Sequence, residues 1–124
     1  MEIDRKLNEV GEFDYDYKND ILFFKVKNRE YSYSIELSNY VMDIDSEGLV
    51  VGLQIFDASN LFQTNKESLK NVTNWRLETS IKDKVIQVKI KFDMVLRNKI
   101  IEKNPILVER TMEDLPDSIV CVNC

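Results

Sequence analysis

The run Asp43-Ile44-Asp45-Ser46-Glu47-Gly48 has the residue types that open a calcium-binding loop. Such a loop takes oxygens from its first, third and fifth positions, a glycine at the sixth and a bidentate glutamate at the twelfth. Counted from Asp43, the fifth position is Glu47 and the twelfth is Gln54, so a neutral amide stands where the strongest ligand belongs. The flanks alternate as strands do, whereas that loop lies between helices. The expected structure is a hairpin turn with Gly48 in the left-handed conformation. Asp14, Asp16, Asp43 and Asp45 form a wider acidic set. Were their strands adjacent and facing alike, they would suit a hard cation or hold one carboxyl protonated for acid–base work. A solvated acidic sheet face is the plainer expectation.

Cys121-Val122-Asn123-Cys124 is a lone Cys-x-x-Cys. A structural zinc site needs four ligands, and the sequence supplies neither a second pair nor a histidine. A redox pair needs a helix N-terminus to lower a thiol pKa, and no helix start is signalled there. The expectation is a buried strand cysteine, Cys121, sharing a face with Ile119. Lys82, Lys84, Lys89, Lys91, Lys99 and Lys103 make the second half locally basic. Strand alternation turns Lys89 and Lys91 outward, where lysine also guards against edge aggregation, so nucleic acid is not the expected partner.

The elements that position these residues follow from period-two alternation. Phe13, Tyr15 and Tyr17 alternate with acids; Leu22, Phe24 and Val26 share a face; Tyr31 to Leu37, Tyr40 to Ile44 and Leu49 to Ile55 repeat the pattern. Short turn-like separators divide them, predicting a five-stranded antiparallel meander over residues 12–56. One or two short helices are expected near residues 57–72, with a capping box from Thr64 to Glu67 and an apolar stripe of Leu61, Phe62, Leu69 and Val72. Strands resume through Trp75–Ile81 and Ile86–Leu96. A turn at Arg97-Asn98-Lys99 leads into a run ending at Arg110 and interrupted by Pro105. A loop containing Pro116 precedes a last strand, Ile119–Val122. The fold class expected is α+β, mainly β, with a long C-terminal hairpin.

The chain has 124 residues, 44% hydrophobic and 31% charged, the balance of a soluble globular protein. That length suits one domain over residues 1–124, a meander over 12–64 followed by a helix and C-terminal strands over 65–124. The net charge of −5 argues against a general nucleic-acid backbone binder. The absence of histidine removes Ser-His and Cys-His catalysis and histidine metal sites together. No secretory signal or apolar membrane span is expected, and the location expected is cytoplasmic with reduced thiols.

Tyr15-Asp16, Asp20, Leu22-Phe23, Asp43, Asp45, Gly48, Val51-Gly52, Ile55 and Ala58-Ser59 follow one another in a recognisable order. Over roughly residues 13–62 the chain resembles the domain-of-unknown-function family numbered 2283, and its C-terminal part resembles the tail of longer archaeal relatives. The resemblance implies no activity; some short members are associated with partners of toxin-like proteins. The function expected is therefore that of an uncharacterised protein-interaction module without catalytic, cofactor or metal site. An antitoxin-like neutraliser of a basic partner and an aspartate-based metal-dependent enzyme are the alternatives. Homo-oligomerisation is expected through Val95, Ile101, Ile106 and Val108, apolar groups that short first-half strands cannot cover.

Overall fold

The computed structural model describes residues 5–124. Its elements are β1 (Lys6–Asp16), β2 (Ile21–Val26), β3 (Tyr33–Glu36), β4 (Tyr40–Ile44), β5 (Val50–Phe56), α1 (Ala58–Leu61), α2 (Lys66–Lys70), β6 (Trp75–Lys82), β7 (Val85–Leu96), β8 (Lys99–Lys103), β9 (Ile106–Arg110) and β10 (Ser118–Asn123). The strands form one open path, β3-β4-β5-β2-β1-β10-β6-β7-β8, with β9 also paired to β7. The protein is mainly β, with two short helices. Every pairing is antiparallel except β1 with β10.

The strands of the expected meander are all antiparallel, but β2 pairs with β5 and not with β3, giving the order β1-β2-β5-β4-β3. In addition β1 begins well before residue 12, and its first part pairs parallel with β10. The reason is that β1 serves two neighbours. Residues 6–10 pair with β10 and residues 11–16 pair with β2, so the strand passes from one half of the sheet to the other at Gly11. A Cβ there would meet Val122 Cγ1 and lie 2.9 Å from the Lys25 carbonyl oxygen. Only a glycine lets the backbones approach this closely.

Alternation then sorts the side chains. Leu22, Phe24, Val26, Met42, Ile44, Leu53 and Ile55 from the first half share one buried cluster with Leu77, Ile81, Ile86, Val88, Ile90, Phe92 and Val120 from the second. At its centre Trp75 packs on Phe92 at 4.6 Å between ring centroids, on Phe24 at 5.5 Å edge to face, and on Phe13 at 6.1 Å. The helical segment closes over this cluster through Phe62, Leu69 and Val72. Its cap differs from the expected capping box. Asn65 is the N-cap of α2, its side chain accepting from the Ser68 N–H at 2.8 Å. Thr64 instead donates to Met94 Sδ at 2.9 Å, because its side chain faces β7 and not the helix end.

Tight hairpins set the strand registers. Gly48 has φ +79, as expected, between β4 and β5. Asp83-Lys84 and Arg97-Asn98 all have φ near +50 to +64, the mirror-image turn that matches strand twist. The second of these folds the chain back along β7. β8 and β9 lie on the same edge of β7 in one continuous register, from Leu96↔Lys99 to Val85↔Arg110. Pro105 interrupts the ladder without shifting it: its carbonyl still accepts from the Ile90 N–H at 3.0 Å, while its own missing N–H removes one bond.

Candidate functional site

The signature acids act first on the backbone. Asp20 follows the β1–β2 turn with φ 56 and is only 7% exposed. Its carboxylate accepts from the Tyr15 hydroxyl at 2.6 Å, the Ser59 hydroxyl at 2.7 Å and the Ser59 N–H at 3.1 Å. Its carbonyl accepts from the Ala58 N–H at 3.2 Å. One residue thus pins the first hairpin to the start of α1. Burial alone would push this carboxyl up, but the two hydroxyl donors, the Ser59 N–H and the nearby Lys66 charge outweigh it and hold it below the ordinary value. Tyr15 is pushed up, by its own burial first and then by donating to that carboxylate.

Asp45 plays the same part in the β4–β5 turn. It is 5% exposed. One carboxylate oxygen accepts from the Glu47 and Leu49 N–H groups, each at 2.9 Å. The other takes the Arg29 guanidinium at 2.9 Å, and Arg29 also reaches Glu47 at 3.1 Å. The Glu47 contact and then the Asp45 contact raise the pKa of Arg29. The run that resembles a cation loop in sequence is a turn whose central carboxylate is satisfied by this chain's own donors.

The remaining acids stand apart. Asp14 and Asp16 lie on the outer face of β1, and Asp43 lies on β4, with β2 and β5 between them. Asp16 is held below the ordinary value by the Asn19 side-chain amide at 2.8 Å and the Asn19 N–H. Asp43 accepts from the Ser34 hydroxyl at 2.7 Å and leans over Gly52, where a Cβ would come within 2.7 Å of its carboxylate. The structure does not bring the four aspartates together. Among the described residues no three His, Cys, Asp or Glu side chains form a group suited to a metal ion.

Cys121 and Cys124 lie three positions apart on extended chain, so their thiols point to opposite faces. Cys121 is half-buried with Ile119 on the outer face, less covered than a core position. Cys124 turns inward beside Gly11, and burial, reinforced by the Glu12 charge, pushes its thiol up to about 11. Lys89 and Lys91 face outward among acids: Lys89 opposes Glu78, and Lys91 pairs with Glu102 at 3.4 Å.

Of the apolar residues singled out in the sequence, Val95, Ile106 and Val108 are 71%, 54% and 62% exposed on the outer face of β7–β9. Ile101 opposes Met94 and turns to the inner face, half-buried. Its neighbour Ile100, 75% exposed and opposite Val95, takes the outer position. The signal for Ile100 was available: a two-residue turn at Arg97-Asn98 forces Leu96 onto Lys99 and hence Val95 onto Ile100. Sequence reading also missed the link from the Ser38 N–H to the Glu109 carboxylate at 3.1 Å, which ties the β3–β4 turn to β9. Distance along the chain hides that contact.

An open, mostly antiparallel sheet whose signature acids organise turns defines the class of this protein. The sequence profile of a family described as protein of unknown function (DUF2283) matches residues 12–59. A Methanosarcina mazei protein named "Putative hypoxanthine phosphoribosyltransferase" is 32% identical over 99 residues, covering 80% of each chain. An uncharacterized protein of Methanocaldococcus jannaschii is 33% identical over 95 residues, covering 76% of this chain and 82% of its own. No solved structure matches the chain. The chain belongs to one family with these two archaeal proteins, and residues 12–59, the segment that matches the DUF2283 profile, carry Asp20, Asp45, Gly48, Gly52 and Ser59.

Proposed function

We propose that the chain is a protein-interaction module without catalytic activity, folded as one domain and working as a homo-oligomer. The observation that carries the reading is the outer face of β7–β9, where Val95, Ile100, Ile106 and Val108 stand in water on one side of one hairpin. These groups form two exposed apolar pairs, Val95 with Ile100 and Ile106 with Val108, separated along the face by Asp93, Glu102 and Lys91. Exposed apolar groups favour an interface, and two-fold pairing of like surfaces, the commonest closed arrangement, can bring the two ends together. Sedimentation equilibrium tests it. A dimer is expected at micromolar concentration, and Ile106→Lys with Val108→Lys is expected to dissociate it while the β spectrum remains. A strict monomer at high micromolar concentration would remove the homo-oligomer.

Two other readings have narrower support. The outer face of β1 carries Glu12, Asp14 and Asp16 in a row, which suits a basic partner of the kind an antitoxin-like protein neutralises. Capture of such a partner that weakens steeply with salt would favour it. Phosphoribosyl transfer to hypoxanthine rests on the name of the Methanosarcina mazei relative. Against it stand Asp20 and Asp45, the two most buried acids among the described residues, whose oxygens already accept from this chain's own donors. A direct assay for purine nucleotide formation is expected to give no turnover.

A further inference from the structure

We propose that two copies of the chain pair edge to edge along β8 and β9, antiparallel about a two-fold axis through Asn104. This rests on the homo-oligomer reading and specifies how the copies meet.

The direction of the backbone groups comes first. The Pro105 carbonyl accepts from the Ile90 N–H, and the Thr111 N–H donates to the Lys84 carbonyl at 2.9 Å. Odd-numbered residues of this run therefore turn their backbone groups toward β7. Even-numbered residues from Ile100 to Arg110 turn theirs outward. Neither β8 nor β9 has a second strand partner among the described residues. Exposed edges are blunted by charged side chains, by bulges or by proline at an outward donor. β8 and β9 carry charges of both signs, which a matched copy can pair. Here the one proline occupies an inward position, so every outward residue keeps its N–H and the edge is left competent to extend the sheet.

The side chains then select one register. With Asn104 on the axis, Ile100 faces the partner's Val108 on the outer side of the joined sheet. On the inner side Ile101 faces the partner's Leu107, and Lys99 faces the partner's Glu109. Ile100 with Val108 and Ile101 with Leu107 set apolar against apolar, and Lys99 with Glu109 sets opposite charges, the cross-strand pairs that stabilise sheets. Glu102, half-exposed, faces the partner's Ile106 on the outer side with its carboxylate in water. The neighbouring registers fail on the same criteria. Centring on Lys103 sets that lysine against its own copy. Centring on Pro105 sets Ile100 against Arg110 and Ile101 against Glu109. Centring on Ile106 carries Ile100 past the end of the facing β9. Asn104 in register also extends the existing Val95–Ile100 row across the interface to the partner's Val108. Ile101, inward-facing in one copy, joins the interface by the same pairing.

Paired substitutions at positions 100 and 108 test this register by sedimentation equilibrium. Ile100→Lys with Val108→Lys places like charges opposite each other and is expected to give a monomer with an unchanged β spectrum. Ile100→Lys with Val108→Glu in one chain restores opposite charges and is expected to return the dimer. If wild-type protein is a monomer, the edge pairing falls together with the homo-oligomer. If wild type is a dimer and the lysine–glutamate chain stays monomeric, the edge register is overturned while self-association by another surface stands. Asn104→Cys, in a Cys121→Ser and Cys124→Ser background, reads the same geometry without added charge. Symmetry-related residues in a hydrogen-bonded pair lie about 5.5 Å apart at Cα, within disulfide reach. Mild oxidation is expected to give a covalent dimer. Failure to cross-link in a protein that is otherwise dimeric overturns the proposal.

Discussion

At the residue scale the acids of the family segment are fastenings. Asp20 collects two hydroxyls and an amide N–H in a buried position, so the Asp20→Asn variant should lose about 1.5–3 kcal/mol at neutral pH, read by urea unfolding. The pH dependence has a definite sign. The folded-state pKa of Asp20 is depressed, so its contribution is complete above the unfolded value of about 3.9 and is lost as pH falls through the folded one. Asp20→Asn should therefore flatten the acid limb of the stability profile. Tyr15 is shifted upward, so its contribution is present below about pH 10 and is lost as pH rises through the folded value. Tyr15→Phe should flatten the alkaline limb and leave the acid limb in place. An unchanged alkaline limb would show that Tyr15 ionises equally in both states.

At the element scale the turns and one crossing point control the sheet. Asp83 and Lys84 both hold the left-handed conformation without glycine. Replacing them by Asp83→Asn and Lys84→Gly should stabilise the protein by about 1 kcal/mol, since the native backbone suits the new pair. Gly11→Ala should act oppositely, destabilising by about 1–3 kcal/mol as Val122 and the β2 backbone are forced aside. Thermal unfolding measures both. The strands of the first half and the long hairpin were legible from alternation, because one buried face imposes a period of two. The N-cap was not: Thr64 and Asn65 are both good caps, and the choice fell to Met94 taking up the threonine hydroxyl. The parallel pairing of β1 with β10 was also hidden, since the partners lie at opposite ends of the chain.

At the scale of the whole molecule the two halves share one aromatic centre. Trp75 of β6 touches Phe13 and Phe24 of the first half and Phe92 of the second. Trp75 fluorescence and the far-UV β signal should therefore report one coincident unfolding transition. Two separated transitions would mean that the halves melt independently. Phe92→Ala should lower stability by about 3–5 kcal/mol, because the cavity opens beside the tryptophan. The same scale decides the outer surface. β7 is more than twice as long as its partner β9, 12 residues against 5, and β8 fills the rest of its edge. The outward-facing edge of that composite strand has no strand neighbour among the described residues.

The sequence by itself determined the mainly β fold, the left-handed Gly48 and the resemblance of roughly residues 13–62 to the family, because alternation, turn chemistry and a motif are local properties. Which strands those turns set side by side, β2 with β5 and not β3, it did not determine. It could not decide what the aspartates do. Whether Asp43 and Asp14 meet depends on how many strands lie between them, and whether Asp45 faces a cation or its own turn depends on Arg29. It also could not separate Ile100 from Ile101, since neighbouring residues of a strand share a composition and differ only in face. The tertiary structure settled these points because pairing across long stretches of chain fixes which groups are neighbours, and hydrogen-bond direction fixes which edge remains free.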